Sequence, residues 1–167
     1  MKRHTGIVTA GVMAAMLASA CLAGCGVTEE QREAAEKYQK EADTYVAGNN
    51  YTKAQEAMGK ALEQMPKDEG LLAAAEELDK EAEKRKGITE VLEAAMEAIE
   101  ADDAAALEEL QESSKGQELA KMAQSSGSYI YLPEGGASGV GIGFYTFDDC
   151  DCDQWYYGDY KEGKREG

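Results

Sequence analysis

Residues 28–124 constrain the fold most, because nearly the whole stretch consists of strong helix formers. Alanine, glutamate, lysine, leucine and glutamine dominate it, and Pro66 is its only proline. Apolar residues recur every three or four positions, which gives each helix one buried stripe. Turn residues interrupt this pattern repeatedly, and short connections favour antiparallel neighbours. We therefore predict helices at about 29–47, 51–65, 69–86, 88–101, 103–112 and 116–124.

Two of these helices begin with the spacing of a capping box. Thr28 with Gln31 is the candidate at the first helix, and Ser114 with Gln117 at the last.

The composition changes at residues 125–128, where serine and glycine replace the helix formers. Beyond this point the chain is rich in glycine and aromatic residues, and strands are predicted at 129–132 and 140–147. The predicted fold class is mainly α, with antiparallel helical hairpins in residues 25–125. A small Gly/Tyr-rich β-hairpin unit follows in residues 126–167.

The first 24 residues have the pattern of an export signal. Lys2 and Arg3 precede an apolar run that ends in small residues and is short for a membrane span. Its end, Leu22-Ala23-Gly24-Cys25, resembles the lipobox of bacterial lipoproteins. The resemblance implies cleavage after Gly24, a diacylglyceryl group on Cys25, and an outward-facing, lipid-anchored place at the bacterial cell membrane. An ordinary cleaved signal peptide and an uncleaved anchor helix are the alternatives.

Charge and histidine content exclude several functions. The full chain carries −16, and removal of Lys2 and Arg3 leaves −18, which opposes binding to nucleic acid. The single histidine, His4, lies in the signal segment. The exported chain therefore lacks the imidazole that Ser-His-Asp and Cys-His catalysis require, and it is not expected to be an enzyme. No small-molecule substrate is indicated, and no cofactor is expected besides the covalent lipid.

Two further cysteines lie among aspartates near the C-terminus. Cys150, Asp151 and Cys152 offer thiolate and carboxylate groups for a divalent metal. A bridge to another chain and an ordinary loop remain as alternatives.

The first two predicted helices carry a spaced pattern of small and aromatic residues. Alanines are expected where the helices cross closely, larger side chains beside them, and a proline at the end of the second helix. The pattern is similar to one tetratricopeptide repeat, a helix-turn-helix unit, and fits residues 69–101 poorly. Its positions are Tyr38, Ala42, Tyr45, Tyr51, Ala54, Met58, Ala61 and Pro66.

The last twelve residues resemble a membrane occupation and recognition nexus (MORN) repeat, a β-hairpin with Tyr-x-Gly-x-aromatic and Gly-Lys-x-x-Gly elements. Gly163 is expected at a turn with positive φ. The pattern places the return strand from Gly167 onward, so we expect the natural chain to continue; an eccentric C-terminal repeat is the alternative. The matching residues are Tyr156, Gly158, Tyr160, Gly163, Lys164 and Gly167.

The two resemblances and the lack of a catalytic motif favour a surface-tethered, non-enzymatic interaction or scaffold lipoprotein. A protein or peptide partner is expected, with the membrane contacted through the lipid. The alternative is a ligand-binding lipoprotein that contacts a cell-wall glycan or peptide through the C-terminal aromatics, among them Trp155 and Tyr157.

Overall fold

The computed structural model describes residues 26–146 and 154–166, and within them the chain is mainly helical with a small antiparallel sheet at its end. The signal segment 1–24, Cys25, the Cys150–Cys152 cluster and Gly167 lie outside the described residues. None of the described helices is long and apolar enough to cross a membrane.

The helices follow the predicted order with shifts of one or two residues at several ends. The predicted Thr28–Gln31 capping box is present at α1, with both of its hydrogen bonds formed. The predicted box at Ser114 is wrong, because Ser113 caps α6 by accepting a hydrogen bond from the amide of Gly116. The helices are α1 (Glu29–Ala47), α2 (Tyr51–Gln64), α3 (Glu69–Arg85), α4 (Ile88–Glu100), α5 (Ala104–Glu112) and α6 (Ser114–Gln124).

The sheet is a meander of four strands in the order β1-β2-β3-β4, and every neighbouring pair is antiparallel. The strands are β1 (Ser128–Tyr131), β2 (Gly139–Tyr145), β3 (Gln154–Lys161) and β4 (Lys164–Arg165). The mainly α fold with a glycine- and tyrosine-rich antiparallel unit at its end is therefore confirmed.

The predicted start of the return strand at Gly167 is wrong, because β4 already begins at Lys164. Glu162 and Gly163 both have positive φ, at 51° and 72°, as a two-residue type I′ turn requires. The amide of Glu162 donates to Ser138 Oγ and the amide of Gly163 donates to the Ala137 carbonyl, which holds this tight turn in place.

Two hydrophobic cores organise the chain. The first lies among α1, α2 and α3 and includes Ala42, Ala54, Met58 and Leu78, each at most 2 % exposed. The second joins α4 and α6 to the sheet, with Leu92, Leu119, Ile142 and Phe144 fully buried. The change of composition near residue 125 therefore marks the passage from helix to strand, while the second core extends across it.

The connection from α3 to α4 separates the two cores. It consists of Lys86 and Gly87, and Gly87 adopts the left-handed conformation with φ of 81°. The two helices make few contacts with each other, unlike the packed pairs α1–α2 and α2–α3. The expectation of antiparallel neighbours holds in the first core and fails at this connection.

Candidate interaction site at the junction of the two cores

The turn between α1 and α2 docks onto the sheet. The Leu132 amide donates to the Gly48 carbonyl at 2.8 Å, and Asn49 Nδ2 donates to the Ile130 carbonyl at 2.7 Å. The Gly136 amide donates to the Thr44 carbonyl at 2.6 Å. We call Gly48–Asn50 the hairpin turn and residues 132–136 the junction loop. The hairpin turn binds the outward-facing Ile130 carbonyl of β1 and the Leu132 amide just after it, so it covers that end of the sheet edge.

Asn50 is the buried polar residue of the junction, with 3 % of its surface exposed. Its Oδ1 accepts from the Lys53 amide and caps α2, while its Nδ2 donates to the Pro133 carbonyl at 2.7 Å. Lys53 Nζ donates to the same carbonyl at 3.1 Å and also pairs with Glu134. One side chain thus starts the second helix and binds the junction loop.

Two glycines allow this close approach of backbones. A Cβ on Gly48 would lie 2.6 Å from Gly135 Cα and 2.8 Å from the Leu132 carbonyl oxygen. A Cβ on Gly135 would lie 2.8 Å from the Thr44 carbonyl oxygen, and Gly135 has φ of 77°. A side chain at either position would push the hairpin turn away from the junction loop.

Arg85, at the end of α3, forms a second connection between the cores. Its guanidinium lies 4.7 Å from the centre of the Tyr51 ring and pairs with Glu81 one turn earlier. It also lies against Tyr129 of β1. Burial raises the pKa of Tyr129 to about 12, although the Arg85 charge acts in the opposite direction.

A cleft of about 750 Å³ opens beside these contacts, with walls from α2 and α3 of the first core and from α4 and β1 of the second. Tyr131 is buried in its floor and donates from its hydroxyl to Glu93 Oε1 at 2.7 Å. Burial, followed by this hydrogen bond, raises the pKa of Tyr131. The charged side chains of the walls are Lys53, Glu56, Glu83, Lys86, Glu90 and Glu93.

These walls suit a polar ligand that carries charge. Carboxylates outnumber ammonium groups, and Lys53 is already paired with Glu134, so the free walls are acidic. Such groups bind ligands by hydrogen bonds and charge. Clefts between structural units are common binding sites.

A second surface is formed by tyrosines on the sheet face opposite the helices. Tyr156 and Tyr160 meet edge to face with ring centres 5.4 Å apart, and Arg165 lies 5.3 Å from the Tyr145 ring and 5.9 Å from the Tyr156 ring. A Cβ at Gly143 would lie 2.4 Å from the Tyr160 hydroxyl, so glycine provides the space for these rings. Burial, more than any other effect, raises the pKa of Tyr160, which is 2 % exposed.

The other two aromatics of β3 face the helices. Trp155 packs edge-on against Phe144 with ring centres 4.7 Å apart, and Tyr157 donates from its hydroxyl to Glu100 Oε1 at 2.7 Å. Packing therefore engages the C-terminal aromatics on both faces of the sheet.

The structure brings the residues of the helical pattern together in the first core. Ala42, Tyr51, Ala54, Met58 and Ala61 are buried, while Tyr38 and Tyr45 are partly buried against them. Pro66 follows the C-cap of α2 at Met65, as predicted.

The C-terminal motif lies on β3, the I′ turn and β4. Gly163 has the predicted positive φ, and Tyr156 and Tyr160 lie on one face of β3 with their rings in contact. Among the described residues, no group of three or more acidic, histidine or cysteine side chains is arranged to hold a metal ion.

Sequence reasoning missed the junction. The break at residues 48–50 was predicted only as a turn, and Arg85 received no role. The available signal was the pair of consecutive asparagines, since one is enough to cap α2 and the other is free to bind elsewhere.

No family model, curated protein or solved structure matches the chain.

Proposed function

We propose that this protein is an exported lipoprotein that works without catalysis, as an interaction or scaffold module held at the outer face of a bacterial membrane. The observation that carries the proposal is the closeness of the lipobox-like segment to the folded body. The capped helix α1 begins at Glu29, four residues after Cys25. Three intervening residues span about 10 Å at most, so a lipid on Cys25 would hold α1 next to the membrane.

The negative net charge of the exported chain supports an orientation in which its folded part projects away from the membrane. The exported chain carries −18, and Glu29 and Glu30 occupy the first turn of α1. Anionic lipid headgroups repel such a surface, while the buried acyl chains contribute about 0.8 kcal/mol per methylene group to anchoring. The lipid would thus hold a body that does not itself adhere to the bilayer.

The junction supports an interaction role, because it joins the two cores beside a cleft with acidic walls. A cationic segment of a protein or peptide is the partner chemistry that fits these walls. A ligand-binding role through the C-terminal aromatics is the second candidate, and the half-exposed Tyr156 beside Arg165 favours it. NMR chemical shifts of Tyr156 and Arg165 during titration with glycan fragments test that candidate, since both residues lie on that face; unchanged shifts across the fragments would remove it.

Membrane fractionation of a bacterial host that produces the full chain tests the anchor. The wild-type protein is expected in the membrane fraction and to incorporate a clickable fatty acid. Cys25→Ala is expected to lose both, whereas Cys21→Ala, four residues earlier, keeps both. Equal membrane retention and labelling of the Cys25→Ala variant would remove the lipoprotein proposal.

A further inference from the structure

Each of the two hydrophobic cores is complete within its own part of the chain. We call residues 29–85, which form the first core, the first unit, and the described residues from 88 to 165, which form the second core, the second unit. Among the described helices and strands, none of the first unit packs extensively on one of the second. The two units are therefore held together mainly by the loops and polar side chains of the junction.

The bonds between the units are hydrogen bonds and one ion pair. The backbone amides of Leu132 and Gly136 in the second unit donate to the carbonyls of Gly48 and Thr44 in the first. The asparagine and lysine side chains of the junction add bonds to β1 and to the junction loop. Structural units within one chain move relative to each other unless a large hydrophobic interface fixes them. This junction can open without exposing either core.

The covalent connection between the units consists of Lys86 and Gly87. Gly87 has φ of 81°, which glycine adopts without the strain that a side chain would cause. Hinges of proteins are usually a few residues at the ends of helices or strands, where changes of φ and ψ reorient the units on either side. Lys86 and Gly87 occupy such a position between the end of α3 and the start of α4.

We propose that the two units move as rigid bodies about Lys86 and Gly87, and that the junction is a clasp that holds them together. Opening breaks the bonds of the junction and the contact of Arg85 with Tyr129. The cleft of about 750 Å³ takes its walls from both units, so it is formed in the clasped state and widens when the clasp opens. A ligand that touches both walls would stabilise the clasped state. The device requires neither the lipid nor a particular ligand, so it is independent of the proposed anchor.

The hinge and the clasp lie wholly within the described residues. Residues 147–153 connect β2 to β3 at the end of the sheet where Tyr145 pairs with Gln154, whereas the junction loop leads into Gly139 at the opposite end of β2. The segment before residue 26 joins the start of α1. The hairpin turn follows the other end of that helix, 19 residues or about 28 Å away.

Native-state amide hydrogen exchange of the purified full chain, followed by NMR at low urea concentrations, tests the clasp. The Leu132 and Gly136 amides donate across it, at 2.8 and 2.6 Å. Both should exchange through one shared opening, with the same free energy and a weak dependence on urea, because opening exposes little surface. The amides of Met58 and Leu92, in the two cores, should exchange more slowly and with the steep urea dependence of global unfolding.

Gly87→Ala distinguishes a hinge from local fraying of the junction loop. Alanine disfavours the φ of the clasped state, and its Cβ would meet the flexible side chain of Lys115. Because a hinge changes its own φ and ψ, opening relieves this strain. Exchange at Leu132 and Gly136 should therefore become faster by about fivefold to thirtyfold. Among the described hydrogen bonds, none joins residue 87 to the junction loop, so fraying of that loop would not respond.

Gly127→Ala is the matched control. Gly127 has φ of 83°, and a Cβ there would have no neighbour within 4 Å. It lies inside the second unit, between α6 and β1. The substitution should therefore introduce similar strain and destabilise the second core, without selectively accelerating exchange at the clasp.

Three results would overturn the proposal. The first is exchange of the Leu132 and Gly136 amides only through global unfolding, with the urea dependence of the core amides. The second is a different opening free energy for each of these amides, and the third is an equal effect of Gly87→Ala and Gly127→Ala on them. The second and third would assign the opening to local motion of the junction loop. None of them would change the outcome of the Cys25→Ala fractionation.

Discussion

Replacement of Asn50 tests the junction, because its side chain makes two separable bonds. In Asn50→Ala, α2 loses its cap, which costs about 1 kcal/mol. The bond from Nδ2 to the Pro133 carbonyl is also lost, at a further cost of about 1 kcal/mol. Lys53 Nζ still donates to that carbonyl, so no buried acceptor is left without a donor. The expected total is a loss of about 2 kcal/mol in the free energy of unfolding.

Asp68→Ala is the matched control for the cap alone. Asp68 caps α3 by accepting a hydrogen bond from the Leu71 amide at 2.9 Å, and it makes no bond to the junction loop among the hydrogen bonds of the described residues. Its loss should cost about 1 kcal/mol. The difference between the two variants then measures the bond to Pro133.

Urea unfolding followed by circular dichroism and by Trp155 fluorescence gives these free energies. Trp155 packs in the second core, whereas Asn50 starts a helix of the first, so a coincident shift of both signals would show that the junction couples the cores. If Asn50→Ala costs no more than Asp68→Ala, or if Trp155 fluorescence does not respond, the assigned role of the junction is refuted.

Three further predictions use the same unfolding assay. Gly48→Ala should destabilise the protein by about 1–3 kcal/mol, because its Cβ would meet the backbone of the junction loop. Gly59→Ala, in open space on α2, should instead stabilise the protein by about 0.5–1 kcal/mol. Equal effects of the two substitutions would contradict the close approach of the hairpin turn to the junction loop. Arg165→Ala should lower the free energy of unfolding by about 0.5–1 kcal/mol, because its contacts with the Tyr145 and Tyr156 rings are lost. The control Lys164→Ala should be nearly neutral, and a larger loss for Lys164→Ala than for Arg165→Ala would contradict the role of those contacts. The raised pKa of Tyr129 keeps its phenol protonated in the folded state up to about pH 12, whereas in the unfolded state the phenol loses its proton near pH 10. The contribution of Tyr129 to the free energy of unfolding should therefore be constant below pH 10 and fall between pH 10 and 12. Tyr129→Phe should reduce that fall, and an unchanged pH profile in this variant would contradict the burial of the phenol.

Local patterns were sufficient to predict the helices and the chemistry of the first core. The Thr28–Gln31 capping box and the Asn50 cap before Tyr51 each join residues three positions apart, and the alanines at 42 and 54 lie in consecutive helices. Helix boundaries depend on such local hydrogen bonds and spacings, so the sequence contains most of the required information.

The junction could not be predicted in this way, because its partners are far apart in sequence. Asn50 lies 83 residues from Pro133, and Asn49 lies 81 residues from Ile130. Either asparagine is equally compatible with an ordinary exposed turn. No neighbouring residue in the sequence indicates that Gly135 packs in the space where a Cβ at position 48 would lie.

The return strand was misplaced for a different reason. Gly163 was recognised as a turn residue, but its neighbour Glu162 is not a residue type that favours positive φ. Its conformation depends on the hydrogen bond from its amide to Ser138, which belongs to the connection between β1 and β2. Tertiary contacts therefore shortened the turn to two residues and brought β4 forward to Lys164.

The most direct test of the proposed anchor is mass spectrometry of the N-terminal tryptic peptide from protein extracted from bacterial membranes. We predict a peptide from Cys25 to Arg32 that begins with a lipid-modified cysteine, with no peptide from residues 1–24 attached. An unmodified Cys25, or a mature chain that begins at another residue, would contradict it.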